Sequence, residues 1–178
     1  MGILLRMNSD QFINKFIKEC DVSKHSFILI SDEITTVNAY DNAIAVKNLV
    51  PPKEVIKEYV NGGISPEYVL KYSKFLKSKE SIYIISAIIN EVIEKNKNVV
   101  LLCSKTEDER GYLKLLCYFI EEVFTLESVS FKKYKKLNGN PIEYDVDTIK
   151  KKLSKWGEEN SLADLSEIIK ESMAKKIR

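Results

Sequence analysis

Two short apolar runs, SFILIS at 26–31 and NVVLLC at 98–103, each run into a polar loop, SDEIT behind the first and CSKTEDERG behind the second. Both are rich in branched and aromatic side chains, shorter than a buried helix would be, and flanked by polar residues. That is the pattern of a strand covered on both faces. The segments around them have helical spacing instead. Ser9 caps a predicted helix that carries Phe12, Phe16 and Cys20 on one stripe, with Ile13 and Ile17 beside it. Pro51-Pro52 opens a helix to about Asn61, which Gly62-Gly63 ends, and Ser65-Pro66-Glu67 starts another through Leu76. SIYIISAIINEVIEK follows as a third. Buried strands separated by helices, without hairpin signals, predict a Rossmann-like α/β fold: a small, mostly parallel sheet flanked by helices.

The remaining segments are read in the same way. Thr106 and Glu109 have the spacing of a capping box, ahead of a broad apolar face from Tyr112 to Phe124. VSFKKY at 129–134 alternates apolar and basic residues as an edge strand would, and NGNP at 138–141 is a turn. Helices are expected over about 147–156 and after Ser161. AIAV at 43–46 and the apolar residues near the start are short runs without an assigned element. With 178 residues, 44% apolar and 30% charged, the chain suits one α/β domain, with 137–178 as a helical extension packed on it.

Composition excludes several classes. A net charge of +2 argues against an obligate nucleic-acid coat protein. Cys20, Cys103 and Cys117 are odd in number and form no CxxC pair, so neither a disulfide framework nor a thiolate zinc site is expected, and a reducing cytoplasm fits. The apolar start is too short for a signal peptide, and Arg6 occupies the place where a myristoylation motif needs Ser or Thr. The longest apolar stretch, IYIISAII, is far shorter than a membrane span, so no membrane partner is expected.

In parallel sheets, ligands sit beyond the carboxyl ends of the strands, which selects the loops at 31–36 and 103–111. Asp32, Glu33, Ser104, Lys105, Thr106 and Arg110 are the candidate ligand-binding residues. Hydroxyls and a helix N-terminus would receive a phosphate, with Lys105 and Arg110 offsetting its charge. Glu107, Asp108 and Glu109 are a weaker candidate set for Mg2+, because hard cations take oxygen ligands; the competing reading is acids favoured by a helix dipole. A cysteine phosphatase is disfavoured. Arg110 lies one position too far from Cys103, and the three acids would repel a dianion. His25 is the only histidine, which excludes two-His metal sites, and its place before a strand suggests a surface residue. Lys132, Lys133, Tyr134, Lys135 and Lys136 interleave an aromatic with cations as phosphate-tracking surfaces do, while solvated edge lysines would look the same.

The order LVPPKEVIKEYVNGGISPEYVLKYSKFL, an apolar helix, and then NVVLLCSKTEDERGYLKLL resembles the YeaO-like family, domain of unknown function 488, over about residues 47–124. The matching features are Leu49 to Pro52, Tyr72 to Leu76, and Val99 to Cys103 with Glu107 to Glu109. The resemblance implies a Rossmann-like fold. It also implies a His at the start of the helix after the acidic loop, where this chain has Arg110, Gly111 and Tyr112. Binding of a nucleotide-like or phosphorylated small ligand is therefore expected ahead of catalysis. The alternatives are a phage-type inhibitor or adaptor acting on a protein partner, and nucleic-acid binding through 131–136.

Overall fold

The computed structural model describes residues 2–31, 43–104 and 108–159. Among them, five strands form one sheet: β1 (Leu4–Asn8), β2 (His25–Ile30), β3 (Ala43–Val46), β4 (Asn98–Cys103) and β5 (Ser128–Ser130). Every pairing is parallel, in the order β3-β2-β4-β1-β5. The usual doubly wound order places β1 beside β2; here β4 is inserted between them.

The alternation of side chains along each strand supplies two apolar faces. Leu4, Ile28, Ile30, Val99, Leu101 and Cys103 face one way. Leu5, Met7, Phe27, Leu29, Val100 and Leu102 face the other. The first face is covered by α2 (Lys53–Gly62), α3 (Pro66–Leu76), α4 (Lys79–Ile93), α5 (Tyr112–Phe124) and α7 (Val146–Glu159). α7 joins this core through Ile149 and Leu153, and its Trp156 packs on Phe124. The second face has a thinner cover: α1 (residues 9–19), which supplies Phe12 and Phe16, and α6 (Phe131–Leu137), which supplies Phe131 and Tyr134. Within α1, residues Phe12–Phe16 form a π-helical turn, closed by Ile17 N–H donating to the Phe12 carbonyl. The turn keeps both phenylalanines on the sheet.

Local chemistry explains most boundaries. Ser65 caps α3 through its hydroxyl, with Pro66 in the first turn, and Ser78 caps α4. α1 is capped by Asn8, not Ser9: Asn8 accepts from Gln11 N–H and Gln11 reciprocates, a complete capping box. The apolar residues near the start are β1, a strand paired on both sides, and AIAV is β3. α5 begins at Tyr112 after Gly111, whose φ of 71° is left-handed, and no side chain caps it. The predicted capping box therefore does not start this helix, and its Thr106 lies outside the described residues.

The largest correction concerns 129–134. β5 ends at Ser130, whose side chain accepts from Lys133 N–H and caps α6. The short alternation VSFKKY is also compatible with a helix, since Phe131 and Tyr134 are three apart and share a helical face. Burial of that face on the sheet decides the outcome. The predicted helix after Ser161 lies outside the described residues. No helix among the described residues is long and apolar enough to cross a membrane.

Candidate functional site

The carboxyl ends of β2, β4 and β1 lie side by side. Leu29 pairs with Leu102 and Met7 with Leu102 on the other side, so Ser31, Ser104 and Asn8 emerge at one edge of the sheet. The chain leaves β1 toward the thinly covered face through α1, and leaves β4 toward the opposite face through α5. Neighbouring strands whose connections diverge open a crevice between them, the place where doubly wound sheets bind ligands. Here that position falls between Asn8 and Ser104.

A side-chain bond spans this boundary. Asn8 Nδ2 donates to Asp108 Oδ2 at 3.1 Å, while Asn8 Oδ1 is held by the Gln11 amide at 2.9 Å. Asp108 sits in a helical turn whose N–H donates to the Ser104 carbonyl at 2.9 Å. Asp108 and Glu109 are exposed, and Ser104 and Arg110 are half-buried. Of the candidate residues, the structure brings Ser104, Asp108, Glu109 and Arg110 onto one short loop. Asp32, Glu33, Lys105, Thr106 and Glu107 lie outside the described residues. Among the described residues no three His, Cys, Asp or Glu side chains gather as a metal-holding group.

Sequence reasoning missed what pins this loop. Tyr59 donates its hydroxyl to the Glu109 carbonyl at 2.9 Å, and Tyr68 to that of Arg110 at 3.3 Å. Tyr112 donates to the Ile30 carbonyl at 3.2 Å, tying the start of α5 to the end of β2. Tyr72, fully buried, donates to the Leu49 carbonyl at 2.6 Å. The rings form a chain: Tyr59 to Tyr68 at 5.6 Å, Tyr68 to Tyr72 at 6.4 Å, and Tyr72 to Tyr112 at 6.4 Å. Burial pushes the Tyr68 phenol up to about 12 and raises the Tyr72 phenol well above its ordinary value, so both are neutral donors at any physiological pH. The available signal was Tyr68 and Tyr72 at i, i+4, which points two hydroxyls to one side of a helix. Replacing Tyr72 with Phe strands the Leu49 carbonyl without a donor. A loss of about 1–2 kcal/mol in urea unfolding is expected.

The other candidates fare unevenly. Cys103 is fully buried in the core, as a small hydrophobe is, and not exposed as a nucleophile. Burial pushes the Cys117 thiol to about 11, only partly offset by a bond with Ser128. On α6, Lys133 is bonded to Glu127 at 2.8 Å, and Lys135 to Glu19 at 2.7 Å while lying over the Phe131 ring. Two of the four lysines proposed to track phosphates are thus held by carboxylates, and Tyr134 packs on Phe16. His25 is not the surface residue expected. It is half-buried at the opposite, amino-terminal edge of the sheet, against Phe16, Phe27 and Tyr134.

These features define an α/β protein with an all-parallel sheet and polar strand-end residues along its carboxyl edge. Compared with protein-family models, curated proteins and solved structures, the chain finds no match. These comparisons lend no support to the expected resemblance to YeaO-like proteins.

Proposed function

We propose that the crevice between β4 and β1 binds a phosphorylated, nucleotide-like small ligand, with Ser104 and Arg110 as its first contacts. The observation that carries this reading is the parallel pairing of β2, β4 and β1, with the chain diverging to opposite faces at the β4–β1 boundary. The tyrosines support it: a loop held by hydroxyls at consecutive carbonyls is preorganised, and its ordering cost is met before binding. Asp108 and Glu109 make the rim partly acidic, so the ligand would arrive as its Mg2+ complex. Lys105 and Thr106 follow Ser104 in sequence, Asp32 and Glu33 follow Ser31 at the end of β2, and together they complete the proposed set.

Thermal-shift screening with nucleotides and sugar phosphates, each with and without Mg2+, tests the proposal. A ligand at ~100 times its Kd adds about 2.7 kcal/mol. Arg110→Ala and Ser104→Ala should abolish the shift while leaving the unliganded melting temperature within a few degrees. A flat response to every compound would overturn it. A protein-interaction role is the second reading, favoured by the exposure of Val60, Ile64 and Leu70 around α2 and α3 (73%, 53% and 70%). A flat ligand screen together with a stoichiometric protein partner would favour it.

A further inference from the structure

His25, the chain's single histidine, sits where three parts of the amino edge meet. Its Nδ1 lies 2.8 Å from the Asp21 carbonyl oxygen. That oxygen can only accept, so Nδ1 carries the proton of the neutral ring and Nε2 is left as an acceptor. Asn98 Oδ1 is occupied by the Ile3 N–H at 3.0 Å, which turns the Asn98 Nδ2 donor toward His25 Nε2 at 3.3 Å. The Tyr134 hydroxyl on α6 stands 3.5 Å from the same nitrogen. The Asn98 amide thus suits only the neutral ring, whereas the Tyr134 hydroxyl can donate or accept. A proton on Nε2 would set a donor against the Asn98 amide, and turning that amide over would lose the Ile3 bond between β1 and β4.

We propose that His25 is a proton-sensitive fastener: neutral, it holds the 21–24 turn, β4 and α6 together, and protonated, it releases Asn98 and loosens α6. The groove beside it has a cavity volume of about 430 Å3 and walls that include Lys24, Lys97 and Asn98, so protons reach the ring from solvent. α6 is suited to such release, since only Phe131 of its seven residues is fully buried. Charged and titratable groups around the ring are few. The turn offers Asp21, whose carboxylate favours the proton, and Lys24, which opposes it. Lys97 adjoins Asn98 but is drawn to Glu91 at 3.3 Å, and α6 presents the Tyr134 phenol. From α1 come the apolar Phe16 ring and Glu19, the latter paired with Lys135. Burial is the largest influence and holds the imidazole below its ordinary value of 6.5. Below pH 6.5 the unfolded chain takes up a proton that the folded state resists. Stability is then complete above that pH and declines as pH falls through the folded value.

A single histidine gives one resolved imidazole signal by NMR. Its midpoint should lie below 6.5, and hydrogen-exchange protection of 131–137, corrected for intrinsic rates, should fall between about pH 7.5 and pH 5. Each pH unit by which the midpoint lies below 6.5 corresponds to about a tenfold fall. His25→Gln should abolish that pH dependence. Asn98→Asp keeps the Ile3 bond and places an acceptor opposite Nε2, so it should raise the midpoint above that of the parent chain. A parent midpoint at or above 6.5, a midpoint unmoved by Asn98→Asp, or acid-induced loosening of α6 that persists in His25→Gln would each overturn the proposal. The first two measurements hold even if the Gln variant fails to fold.

Discussion

Phe16→Ala should cost roughly 3–5 kcal/mol, the largest effect of any single substitution considered. Phe16 is completely buried, and its ring meets five others: Phe12, Phe27, Phe131, His25 and Tyr134, at centroid separations of 5.0–6.4 Å. Those partners come from α1, β2 and α6, so one ring joins the sheet to both helices of the thin layer. Among the described residues the opposite face has five helices and could redistribute a cavity among many neighbours, while this face has two, one of them only seven residues long. Urea unfolding followed by far-UV circular dichroism would measure the loss. A value below about 1 kcal/mol would mean that the second layer contributes little to the cooperative unit. Because the same ring walls His25, the substitution should also raise the histidine midpoint toward its ordinary value by letting water in.

Gly2→Ala should destabilise by about 1–3 kcal/mol, far more than a methyl near a chain end usually does. An added Cβ would lie 2.0 Å from the Lys97 carbonyl oxygen, 2.6 Å from its carbon and 2.8 Å from its nitrogen. These are backbone atoms and cannot swing aside. The Lys97 N–H is bonded to the Glu91 carbonyl, and Asn96 already holds a left-handed φ of 53° in the same turn. Buried Glu91 fastens that turn further through Lys95 at 3.1 Å and Lys97 at 3.3 Å. Relief must therefore come from β1, at the expense of Gly2 N–H to Val92 and Ile3 N–H to Asn98. The β1–β4 register would suffer where it begins. At Gly111 the nearest obstacle is the flexible Ile64 side chain, so there the positive φ, not the contact, opposes a substitution. Chemical denaturation checks the Gly2 prediction, and a loss under about 0.5 kcal/mol would show that the first residues swing free of the turn.

Much of the fold was legible because local and global preferences agree. FILI within SFILIS and VVLLC within NVVLLC are apolar throughout and can rest only between two layers, and they do so in β2 and β4. Ser65-Pro66 and Pro51-Pro52 carry their own boundary chemistry, and α3 and α2 begin there. LLRMN and AIAV gave no such signal. Each is short and Arg6 interrupts the first, so only pairing with β4 or β2 makes them strands. FKKYKKL was misread for a related reason: one aromatic every three residues suits either a strand or a helix over so short a span. Of the candidate site, the loop after β4 could be proposed from its position alone. Asn8 could not, because its importance comes from β1 lying next to β4, 95 residues away in sequence. The tyrosines escaped notice because a hydroxyl's target cannot be read from spacing.

The chain by itself determined which segments are apolar enough to be buried and where capping residues allow helices to start, since both depend on neighbours a few positions away. Only the tertiary structure decided that β4 separates β1 from β2, that Asn8 meets Asp108 across the β1–β4 boundary, and that a lone histidine lies among aromatic rings at the far edge. Those outcomes depend on contacts between distant segments, whose energies exist only once the strands have chosen their neighbours.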